Sequence, residues 1–440
     1  MKRQLNFGVI TLFASVLISC AIGRTPVATP MNQATLTPPP DSTPMDPATL
    51  TPPPNSTPTP SPEGAHFTAT PTPPKPIPTR TAYATPTPPP PPDAIGTPGF
   101  DWEGPAIIYD GLKLSNYDGS QKKVIPVEVA ISPWHSDYSP EAGRIVTTVD
   151  TSLWTLDVRT GIQSMLPLNG SSNQYIESPV ITSDGTKIAY SLVHGFGEED
   201  PKQLWTINAD GSENELVIDN TGQYITDPGP FRLIPFAWSL DNTKIYMVTT
   251  TDSEASPVGM YVADLIAGTI EKALTPQVTL WDVSFSPDRT MIAYRTFQWV
   301  PVEGNMPEIG PPFTLQVTDL TSGATRILQE SDTLEYYYPV WSEDGNQIAF
   351  TVRSHQTGGE VGLFSIDLAT DATIRWVPGS EGKQLRPWLW LSDDRLAYTE
   401  EEVSSGWSLH ATLYTIKNDG TDKHEIDSAT SMIVIGVLDN

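Results

Sequence analysis

Short apolar strands separated by polar turns repeat along residues 101–440. One recurring pattern is a strand, a turn of the form S-x-D-G, and a second strand ending in I-A-Y or a near variant. It reads SPVITSDGTKIAY around Asp184, PFAWSLDNTKIYMV around Asp241, VSFSPDRTMIAY around Asp288 and PVWSEDGNQIAF around Asp344. A copy one residue shorter, LWLSDDRLAY, surrounds Asp393, and a divergent copy with an insertion, VAISPWHSDYSPEAGRIVTTV, precedes them all. The Asp-to-Asp spacings are 57, 47, 56 and 49 residues. A second pattern lies between copies of the first: a strand such as LWTLDVRTG from Leu153, LWTINADGS from Leu204 or LFSIDLATD from Leu363, then a turn and another strand. Each period therefore predicts four short strands rich in β-branched and aromatic residues, joined by tight turns.

Four strands per unit at this spacing predict an all-β fold, a β-propeller. The wording S-P-D-G-x-x-I-A-Y resembles the WD-like repeats of the TolB β-propeller family, and the N-A-D-G turn of LWTINADGS fits the same family. The resemblance covers roughly residues 105–440 and implies a fold rather than a function. The first pattern occurs six times. Ahead of it stand Ala106 to Tyr109, which reads as a second strand, and LKLSNYDGSQKKVI from Leu112; the chain ends in an apolar strand from Met432 to Leu438. Pairing that last strand with the first three gives seven four-stranded blades and a closed ring without free edges. Six blades is the alternative, with the terminal strands flanking the ring. The Gly-less copies at Asp288 and Asp393 predict turns of a different type.

The a–b and c–d connections read as tight turns, and the b–c and d–a connections as long ones. The latter include 193–202, 250–258, 296–312, 400–410, 219–234 and 329–337. They gather on one rim, where loops carry function more often than strands do. That rim is aromatic and acidic. Tyr224, Trp299, Tyr338, Trp388 and Trp407 are the candidate ligand-binding residues, with Phe231, Tyr336 and Tyr337 beside them and Glu198, Glu199, Asp200 and Glu400 to Glu402 nearby. Aromatic faces flanked by carboxylates suit sugars or cationic peptide groups. Trp238, Trp341 and Trp390, inside inner strands, read as packing residues.

The N-terminus has another character. Lys2 and Arg3 precede an apolar run from Phe7 to Ile18 that ends in Leu17-Ile18-Ser19-Cys20. A charged start and a short apolar stretch make a secretory signal, too short for a comfortable membrane span. The tetrapeptide resembles the bacterial lipobox, which implies cleavage before Cys20, a diacylglyceryl thioether on its sulfur, and membrane anchoring outside the cytoplasm. Several acyl chains on one residue satisfy the requirement for stable anchoring. Residues 1–20 thus read as signal peptide, 21–100 as stalk and 101–440 as propeller. The stalk holds 25 of the 45 prolines within Pro26 to Pro98, and 17 threonines between Thr25 and Thr97. Proline runs such as Pro88 to Pro92 remove backbone donors, and little apolar surface is present, so a disordered, extended spacer is expected.

Charge and chemistry narrow the function. Residues 101–440 carry 20 basic and 48 acidic side chains, a net of about −28. Nucleic acid is therefore excluded as a partner. The single Cys is the anchor. The six His show no H-x-x-x-H or H-x-H spacing, which speaks against a dedicated zinc site. No G-x-S-x-G elbow and no Gly-rich phosphate loop occurs, and the sequence implies no catalytic residue, metal or cofactor. His135-Ser136-Asp137 matches a catalytic triad in composition alone. The expected function is a surface-tethered binding or scaffold module for an extracytoplasmic protein, peptide or envelope glycan. The alternative is an extracytoplasmic glycosidase, lyase or lactonase, which would need two or more carboxyls of raised pKa at the channel mouth.

Overall fold

The computed structural model describes residues 102, 104–110, 112–129, 135–168, 174–194, 202–219, 231–251, 257–274, 283–300, 308–404 and 407–438. Cys20, the stalk and Tyr224 lie outside the described residues. Within them, 28 strands form seven separate four-stranded antiparallel sheets. Blade 1 combines Val434–Leu438 as its inner strand with Ala106–Tyr109, Lys113–Ser115 and Lys122–Val124. Blades 2 to 7 follow in order as residues 136–166, 174–219, 231–274, 283–331, 334–378 and 383–429, each with its strands a to d in sequence. The expected seven-bladed ring, closed by the C-terminal strand, is what the chain forms.

Sheets buried on both faces need apolar residues at successive positions, and the I-A-Y triplet supplies them. In blade 3, Ile188 and Tyr190 enter the apolar cluster shared with blade 2, while Ala189 enters the one shared with blade 4. Blade 5 repeats this with Ile292 and Tyr294 toward blade 4 and Ala293 toward blade 6. Seven such clusters fill the seven gaps, so the core is a ring of interfaces. The small middle residue leaves room for a tryptophan of the next blade. Trp238, Trp341 and Trp390 are buried and donate Nε1–H to carbonyls of the preceding blade, Val180 O at 3.1 Å, Ser284 O at 3.0 Å and Val340 O at 3.1 Å. Their packing role is thereby explained.

The S-x-D turns are built alike. Ser239, Ser286 and Ser342 each donate Oγ–H to the Asp two residues on, all at 2.6 Å, and accept from the amide five residues on, all at 2.9 Å. The residue that needs a left-handed φ is Gly185 (φ 69°), Asn242 (57°), Arg289 (56°), Gly345 (71°) or Asp394 (62°). Each donates its amide to a carbonyl three residues back. The Gly-less turn at Asp288 is thus of the same kind rather than different, its side-chain hydrogen bonds holding Arg289 in αL, whereas the turn at Asp393 is one residue shorter, lacks the serine and does differ.

Two further expectations need correction. Within 296–312 the strands of blade 5 run on to Val300 and restart at Glu308; in blade 7 they run to Ser404 and restart at Trp407. Trp299 and Trp407 therefore stand on strands, paired with Ile309 and Ser404, and not on loops. Between blades 5 and 6 only 332–333 intervene, so 329–337 is no long loop and Tyr336, Tyr337 and Tyr338 lie on an inner strand. In blades 5 and 7 the pairing continues to Val300–Glu308 and Ser404–Trp407, which carries these strands further than turn composition indicates.

Ring closure is specific. Ile107 pairs with Val437 and Ala106 with Leu438. Gly436 is required there, since a Cβ would sit 2.2 Å from Tyr138 Cδ1 of blade 2. Asp427 on blade 7 accepts from Tyr109 Oη at 3.2 Å and Lys113 Nζ at 3.1 Å on blade 1, which ties the last blade to the first.

Candidate functional site

Strand a of each blade begins on the side of the b–c and d–a connections and ends at the tight a–b turns. On that first side, blades 5, 6 and 7 bring arginines and aromatic rings together. Inner strands Leu334–Trp341 and Lys383–Leu391 each carry a β-bulge, at Tyr337/Val340 and Pro387/Leu389. At the first bulge Tyr338 takes a left-handed φ of 54°. A bulge re-aims side chains and recurs beside binding sites. Here the bulges carry Tyr338 and Trp388.

The Arg386 guanidinium, on blade 7, lies 4.8 Å from the Tyr338 ring centroid and 3.9 Å from that of Trp388. Arg295, from strand b of blade 5, lies 3.9 Å from Tyr337 and 5.5 Å from Phe297. Arg353, from strand b of blade 6, lies 5.3 Å from Tyr337, whose ring is 5.7 Å from Tyr338. The result is a row of three cations and four rings across three blades. Two of the predicted residues, Tyr338 and Trp388, are thus joined through Arg386. Trp299 and Trp407 are placed by backbone only, and Tyr224 lies outside the described residues. Tyr336 is a core residue, 4 % exposed in the gap between blades 5 and 6.

Acidic groups support the row. Tyr337 Oη donates to Glu335, whose carboxylate also meets Nδ1 of His355. Burial pushes the Tyr337 hydroxyl up to about 12, against the pull of Arg295. Glu360, its side chain 2 % exposed, lies 3.2 Å from Arg353 Nε. Burial pushes its carboxyl up to about 8, although Arg353 and the Leu385 amide favour the charged form. Its Oε2 has no hydrogen-bond partner among the described residues. Burial also raises Glu401, against Arg386 and Thr399. Thr399 links the parts, accepting from Trp388 Nε1 at 3.1 Å and donating to Glu401 at 3.2 Å. Glu400 behaves oppositely: burial raises it, but Lys423 and Lys383 outweigh burial and keep it ionised.

Sequence reasoning found the aromatics and missed the arginines. Arg295 follows I-A-Y, Arg353 follows F-T-V, and Arg386 precedes Pro387-Trp388, but their positions within the strands differ and give no common marker. Among the described residues, no group of three His, Cys, Asp or Glu is arranged to hold a metal ion.

No protein-family model and no curated protein matches the sequence. Solved structures do. TolB from Acinetobacter baumannii is 16 % identical, with 68 % of this chain and 66 % of that chain covered and a TM-score of 0.41. The oligogalacturonate lyase of Vibrio parahaemolyticus is 12 % identical, with coverages of 65 % and 72 % and a TM-score of 0.42. The tricorn protease is 12 % identical, with 72 % of this chain but 33 % of that chain covered and a TM-score of 0.47. These likenesses concern the fold alone, which the seven sheets already establish.

Proposed function

We propose that the chain is a lipid-anchored extracytoplasmic binding module, in which Cys20 carries the lipid, residues 21–100 form the spacer, and the mouth of blades 5 to 7 takes a protein, peptide or envelope glycan. The observation that carries the reading is the row of Arg295, Arg353 and Arg386 against Tyr337, Tyr338 and Trp388, three blades converging on one patch. Stacked guanidinium and aromatic groups are favoured at binding hot spots.

An enzymatic reading has one observation in its favour, the raised carboxyls of Glu360 and Glu401. They share no partner, however: Glu360 is held by Arg353 and the Leu385 amide, Glu401 by Arg386 and Thr399. Glu360 is also closed off from solvent. Binding is therefore the reading we adopt.

A photo-crosslinking residue in place of Trp388, in the full chain in living cells, tests it. Ultraviolet light is expected to give an adduct in the membrane fraction, and none from the same residue at Ile374, exposed on the outer strand of blade 6. Adding Cys20→Ala should move the protein out of that fraction. No adduct from position 388, or an equal one from 374, would overturn the site; unchanged membrane retention with Cys20→Ala would overturn the anchor.

A further inference from the structure

We propose that the central channel of the ring, at its tight-turn end, binds a small zwitterion between Arg289 of blade 5 and Asp137 of blade 2: a molecule with a carboxylate and an ammonium group on one short chain. Blades 2 and 5 stand three places apart in a ring of seven, so their inner strands face each other across the axis. Asp137 lies two residues before the end of its inner strand, Ser136–Ser139, and Arg289 lies in the turn that follows Val283–Phe285. Both therefore stand at the same end of the channel, away from the mouth of blades 5 to 7.

The backbone that Asp137 binds aims it inward. Its Oδ2 accepts from the Ile181 amide at 2.8 Å. Thr182 N bonds to Lys187 O on strand b of blade 3, and amides alternate along a strand, so the Ile181 amide points off the opposite, inner edge. That edge borders the channel. His135-Ser136-Asp137 forms no triad, since Ser136 Oγ donates to Thr147 Oγ1 at 2.9 Å. Asp137 is half-buried, and enclosure lifts its carboxyl to about 6 in spite of the Ile181 and Tyr138 amides and the charge of Arg289.

Arg289 is the odd residue among the turns. Its left-handed place, at φ 56°, is held in blades 3, 4, 6 and 7 by Gly185, Asn242, Gly345 and Asp394, none of which has a long side chain. Its Cζ lies 5.2 Å from the centroid of Phe285, whose ring packs on Tyr246 of blade 4 at 4.7 Å. Beyond that ring, the guanidinium makes no hydrogen bond and no ion pair among the described residues. Arg289 is half-buried, and burial lowers its pKa against the pull of Asp137 and Tyr246. The two charges thus act on each other without joining. An enclosed cation without hydrogen-bonded partners is costly, and a ligand that brings acceptors relieves that cost.

Charge selects the ligand. A guanidinium edge takes a carboxylate in bidentate fashion. Asp137, ionised above about pH 6, takes an ammonium group. A plain anion would meet Asp137 and the net of about −28 on residues 101–440, and a plain amine would meet Arg289. A zwitterion carries no net charge and satisfies both groups.

The test is isothermal titration of the full chain, in non-ionic detergent at mildly alkaline pH, with glycine, γ-aminobutyrate and glycylglycine. Their opposite charges are separated by chains of increasing length; butyrate and butylamine are the single-charge controls. At least one zwitterion is expected to bind at least tenfold more tightly than both controls. Arg289→Gly installs the residue of blades 3 and 6, so the fold should survive while binding falls at least tenfold; Arg289→Asn, the residue of blade 4, serves if the Gly variant melts early. Asp137→Asn keeps an acceptor for the Ile181 amide and should erase the preference over butyrate. No zwitterion bound more tightly than the controls overturns the proposal. So does binding that survives both Arg289 variants, or a preference over butyrate that survives Asp137→Asn. Binding lost with Trp388→Ala instead would put the ligand at the mouth and overturn the channel site.

Discussion

The two sides of the ring use carboxyl groups in opposite ways. On the tight-turn side, Asp241, Asp288 and Asp344 accept from Ser239, Ser286 and Ser342 and from the amides of Thr243, Thr290 and Asn346. Those hydrogen bonds hold the carboxyls below the ordinary carboxylate range. At the mouth, Glu360 and Glu401 are pushed above it by burial, against the arginines beside them. One side spends its acids on backbone geometry and repeats the solution from blade to blade. The other keeps two of them, on blades 6 and 7, in a costly environment. Perturbed groups of the second kind mark sites of function more often than those of the first.

Both sides hang on the same frame, and breaking it gives the largest effect. Deleting Ser431 to Asn440 removes the inner strand of blade 1. Met432, Ile433, Val434 and Leu438 are buried there, whereas Ile435 and Val437 are only partly so. Each buried side chain contributes about 1.5–3 kcal/mol, and the sum is comparable to the stability of a whole domain. The truncated chain is expected to aggregate or to melt more than about 10 °C lower in a calorimetric scan. Unchanged melting would mean that the ring closes without its last strand.

How far each side could be read from the sequence follows from the same contrast. The tight-turn side was legible because it is periodic: S-x-D recurs, and the copies at Asp241, Asp288 and Asp344 obey one local hydrogen-bonding rule. The blade count was legible too, since Ala106 to Tyr109 and the terminal apolar strand complete one sheet. The mouth was legible only in part. Tyr338 and Trp388 stand out as aromatics, but Arg295, Arg353 and Arg386 come from three blades, and nothing local shows that they meet. Their meeting depends on the inner-strand bulges at Tyr337/Val340 and Pro387/Leu389; the prolines there mark a bulge that blades 3 and 4 share at Glu177/Val180 and Pro235/Ala237, so they do not single out the mouth. Strand continuity through Trp299 and Trp407 was obscured by turn-forming residues near those positions.

Titration separates the two sides with a smaller effect. Glu360 has a folded pKa of about 8, above the ordinary 4.5, so the folded chain binds the extra proton between those values. Stability from this group is therefore lost as pH rises from 4.5 through 8, by on the order of a few kcal/mol. The turn aspartates act with the opposite sign: their contribution is present above their unfolded pKa and is lost as pH falls through their lowered folded values. Glu360→Gln should flatten the alkaline slope of a melting-temperature profile between pH 6 and 9 and leave the acid slope untouched. A slope that persists in the variant would show that Glu360 is ionised in the fold.

The smallest effect lies in the turn that departs furthest from the repeated form. In blade 7 the a–b turn is one residue shorter, Leu391 stands in the place of the serine, and Asp394 takes the left-handed position at φ 62°. Its amide still donates to Leu391 O at 3.1 Å. The companion Asp393 does not accept from a turn serine as Asp344 does, but pairs with Arg395 at 2.8 Å, and Arg395 also reaches Asp422. Backbone geometry is thus conserved while the side-chain support has changed. An L-residue in αL costs about 1 kcal/mol, less for Asp than for most. Glycine avoids that cost but loses more entropy on folding. Asp394→Gly is therefore expected to stabilise the chain slightly, by roughly 0.5 kcal/mol, measurable as a shift of the denaturant midpoint at constant slope. Loss of stability instead would mean that the Asp394 side chain, and not the frame around it, holds this turn.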